Sequence, residues 1–168
     1  MTSTAHTDPA PAPVADAREL RSALGAFPTG VTVITAPTPR GPVGMTANSF
    51  STLSLSPPLV QFCTDHRSQL RPLFAAATSF AVNILAEDQA EIADRFARPG
   101  RDRFAATRWR PGTTGAPVIS GAARVIECTV LRTIELGDHD ASIGRVVTLH
   151  PDDGKPPLLF YRGEYYTL

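Results

Sequence analysis

Residues 41–64 read GPVGMTANSFSTLSLSPPLVQFCT, which is two β-like runs flanking a short segment of small polar residues. That segment is Thr46-Ala47-Asn48-Ser49, and the second run is entered through Pro57-Pro58. Small side chains let a flat ligand approach the backbone, and the hydroxyls and the amide add donors and acceptors without net charge. This combination suits a heteroaromatic ring with alternating polar edge atoms better than a metal or a peptide. The alternative is an ordinary polar turn between two barrel strands.

The size and charge of the chain exclude several classes of function. With 168 residues it is long enough for one domain with its own core. Sixteen basic residues balance sixteen acidic ones, so the basic excess of a general nucleic-acid or membrane-surface binder is missing. No apolar run reaches the roughly 18 residues of a membrane span, and the start of the chain does not resemble a signal peptide. We expect a cytoplasmic protein that binds neither nucleic acid nor membrane.

The sequence contains none of the common metal, disulfide or nucleotide motifs. Cys63 and Cys128 lie in apolar, strand-like runs without a CxxC spacing, and are predicted to be buried thiols in a reducing compartment. The four histidines are scattered, with no HExxH motif, so no metal is expected. GxGxxG, GxxxxGK[ST] and GxSxG are also missing. A nucleotide would have to be held by loop amides, hydroxyls and arginines.

The predicted elements indicate a mainly β protein with a few flanking short helices. Residues 1–15 are rich in Pro and Ala and predicted to be disordered, and a single domain is predicted over 16–168. Helices are predicted from Asp16, the N-cap, to Phe27, over 68–77 and over 87–98. Strands are predicted at 31–36, 43–48, 59–64, 79–85, 123–136, 143–149, 157–161 and 164–167, with an irregular segment at 101–121. Short strands without a βαβ rhythm favour a closed or nearly closed antiparallel barrel.

Two segments have amphipathic patterns. In the first helix, Leu20, Leu24 and Phe27 form an apolar stripe. In the strand at 123–136, apolar residues alternate with a second face that carries Glu127 and is predicted to be partly solvated.

Five segments, in this order and at this spacing, closely resemble the flavin reductase-like family. These are the small NAD(P)H:flavin oxidoreductases that supply reduced flavin to two-component monooxygenases. The resemblance covers roughly residues 17–165. It is carried by Phe27–Thr35, by Gly44–Phe50 with Ser56–Val60, by Phe80–Leu85, by Gly137–His139 with Ile143–Val146, and by Leu158–Gly163.

The resemblance implies an FMN-binding split β-barrel that works as a homodimer. It implies FMN as the flavin, with FAD possible, NADH or NADPH as the hydride donor, and a separate flavin-dependent monooxygenase as the partner. The flavin contacts carried over are Pro42, Val43, Gly44, Met45, Thr46, Ala47, Asn48, Ser49, Cys63, Thr64, Asp65, Ser68, Gln69 and Arg95. The pyridine nucleotide is assigned to Phe160, Tyr161, Arg162 and Gly163, with His139 as the catalytic candidate.

Each of these positions also has a structural interpretation. Thr46, Asn48 and Ser49 can hydrogen-bond the edge of a ring or only shape the turn. Ser68 is predicted to begin a helix, where its hydroxyl can bind a phosphate or act as an N-cap. Arg95 can contact flavin or pair with Glu91 one turn earlier on the same helix.

The nucleotide side has its own alternatives. His139 lies in a Gly-Asp-His turn, where a lone histidine is often a surface residue. Tyr161 and Arg162 can stack on and pair with a nucleotide, or belong to an ordinary edge strand. The chain departs from the family at Asp140-Ala141-Ser142, where bulky apolar residues are usual. The sequence therefore does not define which residues form the wall on the nicotinamide side. The rival functions are a same-fold flavoprotein that oxidises or oxygenates a small molecule with tightly bound flavin, and a non-catalytic flavin-binding module.

Overall fold

Antiparallel strands make up most of the computed structural model, which describes residues 16–100, 103–151 and 154–168. The predicted tail at 1–15 lies outside these residues. The elements are α1 (Ala17–Leu24), β1 (Thr29–Gly30), β2 (Thr32–Ala36), β3 (Val43–Ala47), β4 (Ser51–Leu55), β5 (Pro58–Asp65), α2 (Arg71–Ala75), β6 (Ser79–Ile84), α3 (Ala90–Ala97), β7 (Trp109–Pro111), β8 (Pro117–Ile119), β9 (Arg124–Leu136), β10 (His139–Leu149), β11 (Leu159–Tyr161) and β12 (Glu164–Tyr166). None of the described helices is long and apolar enough to cross a membrane.

The main sheet has seven strands in the order β3-β2-β6-β9-β10-β5-β4 and is curled on itself. Ala47 of β3 and Phe62 of β5 lie near opposite edges of this order, yet both belong to one buried cluster. A flat sheet would hold these side chains several strands apart, at about 4.8 Å per strand. The interior of the curl is filled by aromatic rings, with Phe62 packed edge-to-face on Phe74 and Phe80 at 5.4 and 4.9 Å. The predicted mainly β barrel is therefore confirmed.

A second core cluster attaches α3 and the smaller sheet β1-β11-β12 to the barrel. Phe96 of α3 is buried in it, together with Val33 of β2 and Leu158 beside β11. Close approach requires glycine at position 44, because a Cβ there would lie 2.7 Å from the Phe96 ring. The packing holds α3 alongside β3, and this forms one wall of the candidate site.

Several element boundaries differ from the predicted ones. β4 was not predicted, and β7 and β8 lie in the segment predicted to be irregular. Asp16 caps α1 as predicted, with its carboxylate accepting from the amides of Arg18 and Glu19 at 2.7 and 2.8 Å. The prediction that Ser68 begins a helix is wrong, since α2 begins at Arg71 and has only five residues. β10 begins at His139, four residues earlier than predicted.

The prediction for Glu127 is also wrong, because its side chain is completely buried. Its carboxylate accepts from the amides of Thr113 and Thr114, from the Thr114 hydroxyl at 2.7 Å, and from His150 Nε2 at 2.6 Å. The loop between β7 and β8 therefore closes over this face of β9 and excludes water. Glycine is needed at 112, where a Cβ would lie 2.5 Å from the carboxylate.

These contacts predict how the stability of the protein depends on pH. Burial raises the pKa of Glu127, but hydrogen bonds from Thr114, His150 and Thr113 outweigh it and lower the pKa from 4.5 to about 2. The ionised carboxylate therefore stabilises the fold fully above pH 4.5, and this contribution is lost as the pH falls towards 2. Glu127→Gln should lower the free energy of unfolding by about 2 kcal/mol near neutral pH, because the amide nitrogen would face hydrogen-bond donors.

Urea unfolding near neutral pH and in acid measures the difference in free energy of unfolding between Glu127→Gln and the unmodified protein. This difference should become smaller in acid. The matched control is Glu19→Gln, a change of an exposed glutamate on α1, which should have little effect. Equal losses from the two variants would show that the buried carboxylate is not a special contributor.

Candidate functional site

A pocket of about 310 Å³ lies between the β3–β4 turn, the end of β5 and α3, and we call it the ring pocket. It brings together most of the predicted flavin contacts with the predicted catalytic residue. Its lining from the predicted set is Met45, Thr46, Ala47, Asn48, Ser49, Cys63, Asp65, Ser68 and His139. Residues that the sequence did not indicate complete it, namely Leu70, Phe96, Ala97 and Arg103.

The polar side chains of the β3–β4 turn divide into two kinds. The Thr46 hydroxyl donates to the Ala93 carbonyl of α3 at 2.5 Å, and the Ser49 hydroxyl accepts from the Cys63 amide at 3.0 Å. These two hydroxyls hold the pocket walls together. The Asn48 side chain is exposed and has no hydrogen-bond partner among the described residues. Its amide is therefore the group of this turn that is free to bind a polar ring edge.

The alternation of β5 separates the three predicted residues at its end. Cys63 and Asp65 line the ring pocket, whereas Thr64 points to the opposite face and is buried. The Thr64 hydroxyl has no hydrogen-bond partner among the described residues. The prediction that both cysteines are buried is half wrong, since Cys128 is fully buried with its pKa raised to about 12, whereas Cys63 is only half-buried.

His139 lies at the boundary between the ring pocket and a second cavity. It is the first residue of β10 and pairs with Asp65 of β5 and Leu136 of β9. A two-residue turn precedes it, with Gly137 at φ +60°. His139 Nδ1 lies 2.6 Å from the Asp138 carboxylate, which can only accept, so Nδ1 carries a proton and Nε2 remains for a ligand.

The second cavity, which we call the outer groove, has a volume of about 980 Å³. It is lined by α1, by Asn48 and His139, and by Phe160, Arg162 and Gly163 of the predicted nucleotide segment. Arg162 and Gly163 form the tight turn between β11 and β12, with φ values of 50° and 90°. Two positive φ values are typical of a type I′ turn, and they are uncommon for arginine. The Arg162 guanidinium lies 5.2 Å from the centre of the Tyr161 ring.

Some predicted contacts lie outside both cavities. Gln69 lines a neighbouring hollow, and Arg95 lies farther along α3. The Arg95 guanidinium donates to the Ala106 carbonyl at 2.7 Å and to the Thr107 hydroxyl at 2.9 Å, so it fixes the segment after α3 instead of pairing with Glu91. The cavity linings also omit Pro42, Val43, Gly44, Thr64 and Tyr161. Flavin contact by Gln69, Arg95 and the first four of these residues, and nucleotide contact by Tyr161, stay predictions, as do the roles of the residues that line the cavities.

Arg103 is the main site residue that sequence reasoning missed. Its guanidinium donates to the Gly44 carbonyl at 2.9 Å and to the Arg98 carbonyl at 3.0 and 2.6 Å. It thus joins β3 to the end of α3 beside the ring pocket. Among the described residues, three of its five N–H groups have acceptors, and the other two have none. No local motif marks this arginine, because its importance depends on where the loop after α3 returns.

Asp140, the first residue of the family departure at 140–142, is used by the fold. Asp140 is buried and accepts from Arg71 Nε at 2.7 Å and from His66 Nε2 at 2.9 Å. The hydrogen bond from Arg71 holds the pKa of Asp140 below its usual value. His66, Glu135 and Asp140 place ligand atoms within 4.8 Å of one another. Because Arg71 already neutralises both carboxylates, this group is an ion-pair network that fastens α2 to the barrel.

Taken together, these observations define a class of protein, a curled antiparallel β-barrel with two adjoining cavities that share Asn48 and His139. Comparison of the chain with known protein families identifies this class. The flavin reductase like domain matches residues 24–168, so the chain belongs to the flavin reductase-like family.

Individual relatives agree with this assignment. The chain is 46% identical over 157 residues to the "Probable flavin reductase" of Rhizobium meliloti, with 93% of this chain and 50% of the relative covered. It is 43% identical to the "Flavin-dependent monooxygenase, reductase subunit HsaB" of Mycobacterium tuberculosis, with 89% and 81% covered. The solved "NADH:FAD oxidoreductase SgcE6" of Streptomyces globisporus superposes with a TM-score of 0.86 at 38% identity, with 94% and 98% covered. The chain thus spans half the length of the first of these relatives.

The buried Thr64 hydroxyl gives a prediction that tests its assignment to flavin. Thr64→Val should raise the free energy of unfolding by about 1 kcal/mol, because it removes an unpaired hydroxyl without opening a cavity. Flavin affinity should not change.

Thermal and urea unfolding measure the first effect, and a fluorescence titration with FMN measures the second. The matched control is Thr32→Val, because the Thr32 hydroxyl is also buried but donates to the Ala47 carbonyl at 2.6 Å. The control should lose stability. A weaker FMN affinity in Thr64→Val would show that the Thr64 hydroxyl does contribute to flavin binding.

Proposed function

We propose that this chain is an NAD(P)H-dependent flavin reductase. The observation that carries the proposal is the meeting of the two cavities, since Asn48 and His139 line both the ring pocket and the outer groove. A flavin ring in the first and a nicotinamide in the second would meet at these two residues. Close contact between two flat rings, about 3.5 Å apart, is the arrangement that hydride transfer needs.

The residues present fit a flavin ring. The free Asn48 amide matches the alternating donors and acceptors of the pyrimidine edge, and the half-buried Met45 and the Phe96 ring supply apolar contact. When bound, the cofactors supply the redox chemistry, in which a hydride passes from nicotinamide C4 to flavin N5. The protein has to bind, orient and exclude water. Hydride transfer needs no general base. This agrees with the site, in which His139 is the one histidine that lines the two cavities.

The proposed role includes a partner enzyme. Relatives are named as reductase subunits of flavin-dependent monooxygenases, and we extend this role to the present chain. Reduced FMN, or FAD, would pass to a separate oxygenase. We also propose a cytoplasmic location, which is supported by two free cysteines and a dependence on NADH or NADPH.

The direct test mixes catalytic amounts of the protein with FMN and NADH or NADPH under anaerobic conditions. The absorbance of FMN at 450 nm should bleach with many turnovers per protein molecule. A single turnover limited to bound flavin would instead support the tightly bound flavoprotein. Normal flavin binding without bleaching would support the non-catalytic flavin-binding module.

Two variants should separate the two sides of the site. Asn48→Ala should weaken FMN binding by about 1–2 kcal/mol, roughly five- to thirtyfold, through loss of the unpaired amide. Arg162→Ala should leave FMN affinity unchanged and raise the Michaelis constant for NADH about tenfold, with a smaller change in turnover.

Fluorescence titration and steady-state kinetics on both variants provide the measurement. Arg132→Ala is the control for Arg162→Ala, because it removes an exposed arginine from β9, outside both cavities. Loss of FMN affinity in Arg162→Ala, with an unchanged constant for NADH, would contradict the division of the site.

We further propose that the chain forms a homodimer through α1. No residue of this helix is buried in the single chain, although it carries an apolar stripe. Leu24 and Phe27 are 64% and 74% exposed, and both line the outer groove. A second copy that covers this stripe would bury apolar surface and enclose the groove.

Leu24→Glu should therefore convert the dimer into a monomer, because a charge would be buried at the interface. Sedimentation velocity measures the mass of both proteins. The control is Leu131→Glu, at a leucine on β9 that is exposed to a similar degree, and it should remain dimeric. A monomeric unmodified protein, or a dimeric Leu24→Glu variant, would exclude α1 as the interface.

A further inference from the structure

A further pocket of about 300 Å³ lies where β7, β8, the start of β9 and the residue after β10 meet, and we call it the β8 pocket. It shares no lining residue with the ring pocket or the outer groove. Its polar side chains are those of Arg110, Ser120 and His150. The flavin chemistry proposed above uses none of these groups.

The hydrogen bonds of His150 fix the position of its ring proton. Arg110 Nη2 lies 3.3 Å from His150 Nδ1, and a guanidinium can only donate, so Nδ1 is the acceptor. His150 Nε2 therefore carries the proton, which it donates to the Glu127 carboxylate at 2.6 Å. The imidazole is uncharged, and its lone pair lies on the side of Arg110, which lines the same pocket.

Glu127 stabilises this tautomer from behind the ring. Its side chain is completely buried, and its carboxylate also accepts from the amides of Thr113 and Thr114. A carboxylate that accepts from one imidazole nitrogen makes the other nitrogen a stronger base, as it does in histidines that bind metals. A buried charge costs free energy unless it is paired, so it is not a simple way to fill space. The Glu127–His150 pair therefore prepares a hydrogen-bond acceptor at the β8 pocket.

Arg110 places a cation with unused donors beside this acceptor. Among the described residues, His150 Nδ1 is the one acceptor of its guanidinium. A separation of 3.3 Å is long for such a bond, so a ligand can replace it. A fully ionised anion such as sulfate would satisfy the guanidinium but bring no donor to the lone pair of His150. A ligand with an O–H group beside an anionic oxygen satisfies both.

The rest of the lining is mostly apolar and limits the size of the ligand. Val118, Ile119 and Val125 are buried residues of this wall. The volume is at the small end of the range for ligand cavities, which is roughly 300 to 1,000 Å³. Hydrogen phosphate has the required O–H group and anionic oxygens, but no apolar part for these side chains to contact. A short carboxylic acid with a hydroxyl on the neighbouring carbon and an apolar side chain meets all three requirements.

From these groups we propose that the β8 pocket binds a 2-hydroxycarboxylate with a small apolar side chain. Arg110 binds the carboxylate, His150 Nδ1 accepts a hydrogen bond from the 2-hydroxyl group, and the apolar side chain contacts Val118 and Ile119. The site goes beyond the proposed function, because it is separate from the cavities assigned to flavin and pyridine nucleotide. The ligand is bound without chemical change.

Calorimetric titrations of the full chain with 2-hydroxyisovalerate and with isovalerate, at neutral pH and without flavin or pyridine nucleotide, test the proposal. The two acids differ only in the hydroxyl group. The hydroxy acid should bind about tenfold more tightly, because isovalerate leaves the lone pair of His150 without a donor. Inorganic phosphate should bind more weakly than the hydroxy acid, because it has no apolar part.

Variants of Arg110 test the carboxylate side of the pocket. Arg110→Ala should lower the affinity for both acids about tenfold, because it removes a charge-assisted hydrogen bond from an exposed position without disturbing the core. Arg110→Lys should restore part of the affinity, because it retains the charge without the planar fork. The matched control is Arg132→Ala, an exposed arginine on β9 outside the pocket, which should bind both acids as the unmodified protein does.

Long-range ¹H–¹⁵N NMR observes the imidazole directly. On addition of 2-hydroxyisovalerate, the Nδ1 resonance of His150 should shift and remain that of an unprotonated nitrogen. The resonances of the other histidines should not move, and a His150→Gln variant identifies the signal by its loss.

Several results would overturn the proposal. They are equal affinities for the two acids, no measurable binding of the hydroxy acid, tighter binding of phosphate, and unchanged affinity in Arg110→Ala. Displacement of the hydroxy acid by FMN would place it in the ring pocket and would also overturn the proposal. The proposed reductase activity is measured separately, by the bleaching of FMN, and does not depend on these results.

Discussion

The packing of Phe62 against Phe74 and Phe80 is the contact on which the rest of the structure depends. It holds β5 and α2 against β6 inside the curled sheet, and β10 accommodates the Phe80 ring because position 144 is glycine, where a Cβ would lie 2.4 Å from the ring. Burial of Phe62 on one face of β5 turns Cys63 and Asp65 to the other face. The same packing that forms the core therefore sets the floor of the ring pocket.

Around this floor, polar groups are either used by the fold or left for ligands. The hydroxyls of Thr46 and Ser49 are satisfied by backbone groups of α3 and β5, so they position the pocket walls. The Asn48 amide and two N–H groups of Arg103 have no such partner in the part of the chain that the structure describes. An amide, a guanidinium and an imidazole are therefore the main groups with which the pocket can recognise a ligand. The predicted site residues therefore differ in role according to whether their polar groups already have hydrogen-bond partners within the fold.

The mainly β fold could be predicted from the sequence, because strand patterns are local. The family resemblance pointed to the segment from Met45 to Ser49 and to His139, and the structure places these residues around one pocket, while their roles stay predictions. Glu127 was wrongly predicted to lie on a partly solvated face. Strand alternation cannot show that the distant β7–β8 loop covers this second face of β9. Asp140 presented the same difficulty, because its partners Arg71 and His66 come from α2 and the turn before it. Arg103 was missed because a loop arginine gains its role only from the carbonyls that the fold brings to it. Long-range contacts, and not local propensity, account for each of these differences.

The position of α1 has a consequence for how the two cavities can be altered. Arg21 and Ser22 of this helix line the outer groove, and neither lines the ring pocket. The helix is tied to the barrel rim by a backbone bond from the Arg162 amide to the Gly25 carbonyl at 3.1 Å, and it buries no side chain of its own. Mutations in α1 can therefore accumulate without disturbing the aromatic core or the ring pocket. Substitutions on this helix therefore act on the outer groove alone, and the two cavities can be altered one at a time.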